Sequence, residues 1–184
     1  MKVKKQIITF VFIFVFTLLF GCRIFTNTFE RDEYNRVVPK YSTWSFKKSK
    51  NPDPNHVLNY DVVYFYKDTR KVPAVWKTIR FWKDGQIMLG WVDNMLDPEE
   101  VNSFNDTSIG YFKVDENNNI MAQIYWSLNF GQYAYIRYKL DQNKNLRQET
   151  WWVSWWDVQH KSKLKNPPIY KPVKFIRKPQ QPDW

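Results

Sequence analysis

One cysteine, two histidines and five glycines in 184 residues leave little room for several kinds of chemistry. A lone Cys22 permits no disulfide within the chain, so any exported domain must be stable by packing alone. His56 and His160 sit at the two ends of the strand-forming region and read as exposed loop residues rather than catalytic bases. Zinc ligation needs more His or Cys than the chain holds, and only an all-carboxylate metal site is left open. No Gly-rich phosphate loop, Gly-x-Ser-x-Gly elbow or His-Glu-x-x-His helix occurs. The apolar run from Ile7 to Phe20 is shorter than the roughly 18 to 20 residues of a spanning helix.

What is abundant is aromatic. The chain carries 10 Trp, 11 Tyr and 14 Phe, with 28 basic against 18 acidic side chains. A charged fraction of 25% with so many rings excludes wholesale disorder and suits a small β-rich domain, because rings pack well on pleated, half-buried surfaces. The length allows one compact domain with accessory segments.

Lys2, Lys4 and Lys5 precede the uncharged run, which is the layout of a secretory signal. Leu19-Phe20-Gly21-Cys22 then resembles a bacterial lipobox. That resemblance implies cleavage before Cys22, acylation of its thiol and new amino terminus, and a palmitate-type anchor strong enough for stable membrane attachment. Arg23 differs from the Asp that marks inner-membrane retention in enteric lipoproteins, so outer-membrane anchoring in the cell envelope is expected. Loss of residues 1–21 removes three of the 28 basic residues, leaving 25 against 18 and a net charge of +7.

The mature chain divides into a tether with a first strand (22–56), a β domain (57–160) and a basic, Pro-rich tail (161–184). Trp44 and Phe46 either begin a strand or pin the tether to the domain. Leu58 to Tyr66 alternates, with Leu58, Tyr60, Val62, Tyr64 and Tyr66 on one face. Val75 to Trp82, then Lys83-Asp84-Gly85, then Gln86 to Val92 reads as a hairpin, because Asp84-Gly85 supplies the positive φ angles of a two-residue turn. Asp97-Pro98-Glu99-Glu100 predicts a short helical turn, capped by Asp97. Ser108–Val114, Ile120–Leu128, Gln132–Leu140 and Leu146–Trp156 follow as strands between polar turns. The fold class is therefore all-β, an antiparallel up-and-down meander closed or nearly closed into a barrel, which removes exposed edges. Lys161 to Trp184 is read as an extended basic tail, with either Ile169-Tyr170 or Val173 to Ile176 lying on the barrel.

Gly110-Tyr111-Phe112-Lys113-Val114-Asp115, a polar turn, Ile120 to Trp126 and the preceding Arg80–Leu89 hairpin resemble lipocalin-like lipoproteins of Bacteroidota. The resemblance implies an up-and-down barrel or half-barrel with no established enzyme activity. The Gly-x-Trp signature of lipocalins proper is missing, Thr43-Trp44 standing in its place, so lipocalin ligand binding is not carried over.

Glu99-Glu100 reads as a helix first turn, and Asp115, Glu116 and Asp141 read as hairpin tips, so the carboxylates point to structure rather than catalysis. The protein is expected to be no enzyme and to need no cofactor. In an exported protein the basic residues from Lys161 to Lys178 suit anionic lipid headgroups or lipopolysaccharide phosphates, and no nucleic-acid partner is expected. Trp76, Trp82, Trp91, Tyr111, Trp126, Tyr135 and Trp152 fall on predicted strands. They either fill the barrel or line a pocket for a small apolar or glycan ligand. Two functions follow: a lipid-anchored envelope binding protein, or a solid-cored assembly component that docks an envelope protein.

Overall fold

The computed structural model describes residues 29–40, 44–126, 131–153, 162–164 and 166–174. Residues 1–21, expected to be a signal segment, and Cys22, Trp155, Trp156, His160 and Arg177-Lys178 lie outside them.

Four hairpin loops are built alike. Asp115 N donates to Asn119 O at 2.9 Å, Asn118 N donates to Asp115 O at 3.0 Å, and Asn118 has φ +61°. Asp141–Asn145 repeats this with Lys144 at φ +62°, Asp32–Arg36 with Asn35 at φ +56°, and Trp82–Gln86 with Gly85 at φ +87°. Each is a three-residue loop, a turn closed by one left-handed residue. Asp84-Gly85 therefore does not make the expected two-residue turn. Because Gly85 N bonds back to Trp82 O, all of Lys83-Asp84-Gly85 is loop, as its place between the strands implied, and only Gly85 takes positive φ.

In the three loops that open on Asp, the carboxylate accepts backbone N–H groups two and four residues on. The side-chain amides of Asn119 and Asn145 add further bonds, and these hold the Asp115 and Asp141 carboxyls below their usual range. The carboxylate thus replaces the ladder partners that the turning backbone loses.

These loops join a meander. β1 (Phe29–Arg31) and β2 (Val37–Pro39) form a separate hairpin. β3 (Val62–Asp68), β4 (Val75–Phe81), β5 (Gln86–Val92), β6 (Ser108–Val114), β7 (Asn119–Trp126), β8 (Gln132–Leu140) and β9 (Leu146–Val153) pair antiparallel in sequence order. β10 (Ser162–Lys163) pairs with the far part of β9, opposite Thr150 and Trp151. β11 (Ile169–Lys174) then pairs with β9 at Leu146-Arg147 and with β3 from Val62 to Phe65. The result is a closed eight-strand antiparallel up-and-down barrel. Part of the segment read as a tail is thus a stave of the barrel. Its Pro172 is tolerated beside Tyr64 because a proline lacks only the N–H, and Tyr170 still points inward and is buried.

β3 begins at Val62, four residues later than the alternation predicted. The residues before it do other work. Buried Asp53 accepts from Val57 N, Leu58 N and the Tyr60 hydroxyl, and Val114 N donates to Pro52 O. The segment from Ser49 to Tyr60 thereby covers the end of the barrel where Val62, Phe81, Ile87, Val114 and Ile120 are packed.

α1 (Pro98–Asn102) forms as expected, with Asp97 Oδ1 accepting from Glu99 N and Glu100 N. The Glu100 carboxylate accepts from Asp93 N and Asn94 N, so it ties the preceding loop. α1 covers an outer apolar patch of Val63, Phe65, Val92 and Val101.

Candidate functional site

The side chains that point into the barrel grade from large to small along its axis. At the covered end, Tyr64, Ile79, Phe81, Phe112, Ile136 and Tyr138 are all buried. Toward the other end, the inward positions of β6 and β8 carry Ser108, Gly110 and Ala134. A cavity of about 450 Å³ lies at this end, and Ser108 borders a second one described below.

The walls of the first include Tyr66, Lys77, Leu89, Trp91, Trp126 and Trp151. A second cavity of about 460 Å³ shares Lys77, Trp91 and Trp126 and extends to Arg31, Asn35 and Val37 of the β1–β2 hairpin. That hairpin is held against the β5–β6 connection. The Arg36 guanidinium stacks on the Tyr34 ring at 4.6 Å and reaches the Phe104 ring at 5.7 Å, while Asp106 N donates to Tyr34 O. Each volume falls in the range of about 300–1,000 Å³ typical of small-ligand sites.

No protein-family model, curated protein or solved structure matches this chain. The site therefore rests on its own geometry.

Of the seven rings singled out from the sequence, Trp91 and Trp126 border both cavities, and Trp91 is 48% exposed. The other five lie on outer faces. Trp76 packs on the patch under α1, and Trp82 lies 6.2 Å from Phe104. Tyr111 meets Trp44 edge-on at 5.1 Å, and Tyr135 stacks on Trp152 at 5.5 Å. Trp44 also meets Tyr133 at 4.9 Å, and Phe46 N donates to Oε1 of buried Gln123, whose Nε2 donates to the Tyr135 hydroxyl. Trp44 and Phe46 thus pin the tether across β6–β8.

Tyr66, Trp151 and Tyr170 line the cavity and were not among those seven. Parity along each strand, once paired, finds them. β9 gains its inward Trp151 only because a bulge opposite Arg137/Tyr138 shifts its register.

One charged cluster borders the site. Asp68 is 2% exposed and accepts from Arg70 through both oxygens at 2.8 Å, with Lys77 Nζ 2.9 Å from Oδ2. These bonds, Arg70 first and Lys77 second, hold the carboxyl far below its usual 3.8. A depressed carboxyl contributes its stability in full above the unfolded value and loses it as pH falls below that value. Asp68→Asn is therefore expected to destabilise by about 1–3 kcal/mol at neutral pH, since Arg70 is largely exposed and keeps water. Urea unfolding near pH 7 and near pH 3 checks it, because the gap between the two proteins should narrow below about pH 4. An equal gap at both would remove the ionic explanation.

The carboxylates considered for acid–base work lie elsewhere. Glu99 and Glu100 sit on α1, Asp115 and Asp141 in hairpin loops, and His56 is exposed at φ +51°. Among the described residues no three His, Cys, Asp or Glu side chains gather as a metal-binding group.

Proposed function

We propose that the chain is a non-catalytic binding protein of a bacterial cell envelope, anchored by lipid at Cys22, which holds a small apolar or glycan ligand in the mouth of its barrel. The observation that carries this reading is the half-filled interior. One end is packed and covered, while the other keeps about 450 Å³ bounded by Trp91, Trp126 and Trp151. A barrel that served only as a scaffold gains nothing from such a void, because each unfilled methyl-sized space costs about 1 kcal/mol.

The hairpin from Arg31 to Val37 and the tether to which it belongs would bring the anchor side of the chain close to this mouth. A ligand drawn from the envelope would then meet rings first, which bury large area at little entropic cost.

Native mass spectrometry of the detergent-extracted protein tests both parts. The expected result is a mass above that of the polypeptide, made up of acyl groups that disappear in Cys22→Ala and a guest that leaves on activation. An acylated protein that carries no guest and takes up none from an envelope lipid and oligosaccharide extract would instead favour the assembly component. Palmitate label retained in Cys22→Ala would remove the anchor.

A further inference from the structure

The charge at the mouth is not balanced. Asp68 is the carboxylate of the cluster, and the bidentate Arg70 fork already neutralises it. Lys77 adds a second cation to the same Oδ2, and Asp68 is its one described partner. Among the described residues, Lys77 is also the only ionisable side chain that borders both cavities. Around it stand Tyr66, Arg70 and Tyr170 in the first and Arg31 and Asp106 in the second. Arg31 donates to Asn35, and Asn35 donates to Asp106. Counting Asp68 with these lining groups, three cations face two carboxylates among the described residues, a surplus of one positive charge.

Thr78, Gln148 and Asn166 give the first cavity polar edges, and the remainder of its wall is apolar. Leu89, Ile136 and the rings of Trp126 and Trp151 form wall, and Tyr170 lies at the packed side. A polyol placed against Leu89 and Ile136 would lose hydrogen bonds to water without replacing them. An alkyl chain loses nothing there. A half-buried ammonium with N–H donors to spare is, in turn, costly unless an anion completes it.

We infer that the ligand is a single-chain amphiphile with a monoanionic head, whose apolar chain enters the barrel alongside the touching Trp126 and Trp151 rings, against Leu89 and Ile136, and whose head pairs with Lys77 at the junction of the two cavities. This inference rests on the binding reading above and narrows it to one chemical class.

Two probes of equal length separate the charge from the cavity: 12-bromododecanoate and 12-bromododecan-1-ol. Bromine quenches tryptophan at contact, so each reports entry into the ring-lined chamber. The full chain, held in amphipol with empty carrier subtracted, is titrated with both. The carboxylate is expected to bind about tenfold more tightly than the alcohol, equivalent to about 1.4 kcal/mol. Lys77→Met should reduce that preference to within about twofold with alcohol binding unchanged, and Lys77→Arg should keep it. Retained alcohol binding in Lys77→Met doubles as evidence that this variant is folded, and Lys77→Gln, which also removes the charge, carries the test if Lys77→Met does not fold.

Equal binding of the two probes to the unaltered chain would overturn the anionic class while leaving the cavity reading standing. Binding of neither would overturn both. A preference that survives Lys77→Met would also overturn the assignment, because the head would then pair elsewhere.

Discussion

A chain that ends at His160 is expected to lose its fold, not merely a basic tail. The truncation removes β11, whose backbone pairs with β3 over Val62 to Phe65 and with β9 at Leu146-Arg147. Both strands would become open edges, and the buried Tyr170 would leave a hole beside Tyr66 and Tyr138. Loss of a large buried ring alone costs about 3–5 kcal/mol, a large part of the 5–15 kcal/mol by which a domain is stable. Unpaired edges add an aggregation route. Circular dichroism should show no cooperative melt, and size-exclusion chromatography should show aggregate. A chain that ends at Lys174 retains every strand described and should melt cooperatively. Binding to anionic headgroups must therefore be tested by Lys→Gln substitution at exposed positions such as Lys171 rather than by deletion, since deletion takes the barrel with it. A folded, monomeric product ending at His160 would show that β11 is dispensable.

Gly110→Ala should be the most damaging change of a single methyl group. Gly110 lies on β6 opposite Ile124, and a Cβ there would collide with the Gln123 carbonyl oxygen, a backbone atom of the neighbouring strand. A flexible side chain could swing aside, but a ladder carbonyl cannot move without parting β6 from β7. The expected loss is about 3 kcal/mol, at the upper end for overpacked positions, read as a fall in the urea midpoint with the slope unchanged. Gly85→Ala at the loop tip is a useful contrast. Its penalty comes from φ +87°, with Pro52 Cβ at 3.3 Å rather than a ladder atom in the way, so it should cost less. A Gly110→Ala protein as stable as the parent would mean that β6 and β7 can separate freely.

Much of the barrel was legible because its strands alternate and its turns are chemically marked. Asp115-Glu116-Asn117-Asn118-Asn119 and Asp141-Gln142-Asn143-Lys144-Asn145 announce their loops by an Asp that bonds to the N–H groups that follow. The same spacing in Asp32-Glu33-Tyr34-Asn35-Arg36 went unread, because its flanking strands are only three residues long and carry little periodic signal. Leu58 and Tyr60 kept the alternation of β3 while belonging to the cover held by Asp53, since alternation shows a face and not a pairing partner. β11 was hidden by its composition. Lys171, Pro172 and Lys174 look like solvated tail, yet the strand needs only inward Tyr170 and a backbone to offer.

The aromatic residues divide in the same way. Their number and their place on strands come from the sequence alone, and so do the all-β class, the hairpin loops and the cap of α1. Which rings fill the barrel, which clasp Trp44 on the outside and which border a cavity depends on the pairing of strands distant in sequence. A one-residue shift at the β8–β9 bulge turns Trp151 inward and leaves Trp152 stacked on Tyr135 outside. The chamber itself is a volume left over after packing, bordered by side chains of β3, β4, β5, β7, β8, β9 and β11. No single segment encodes it, and only closure of the barrel by β11 brings its walls together.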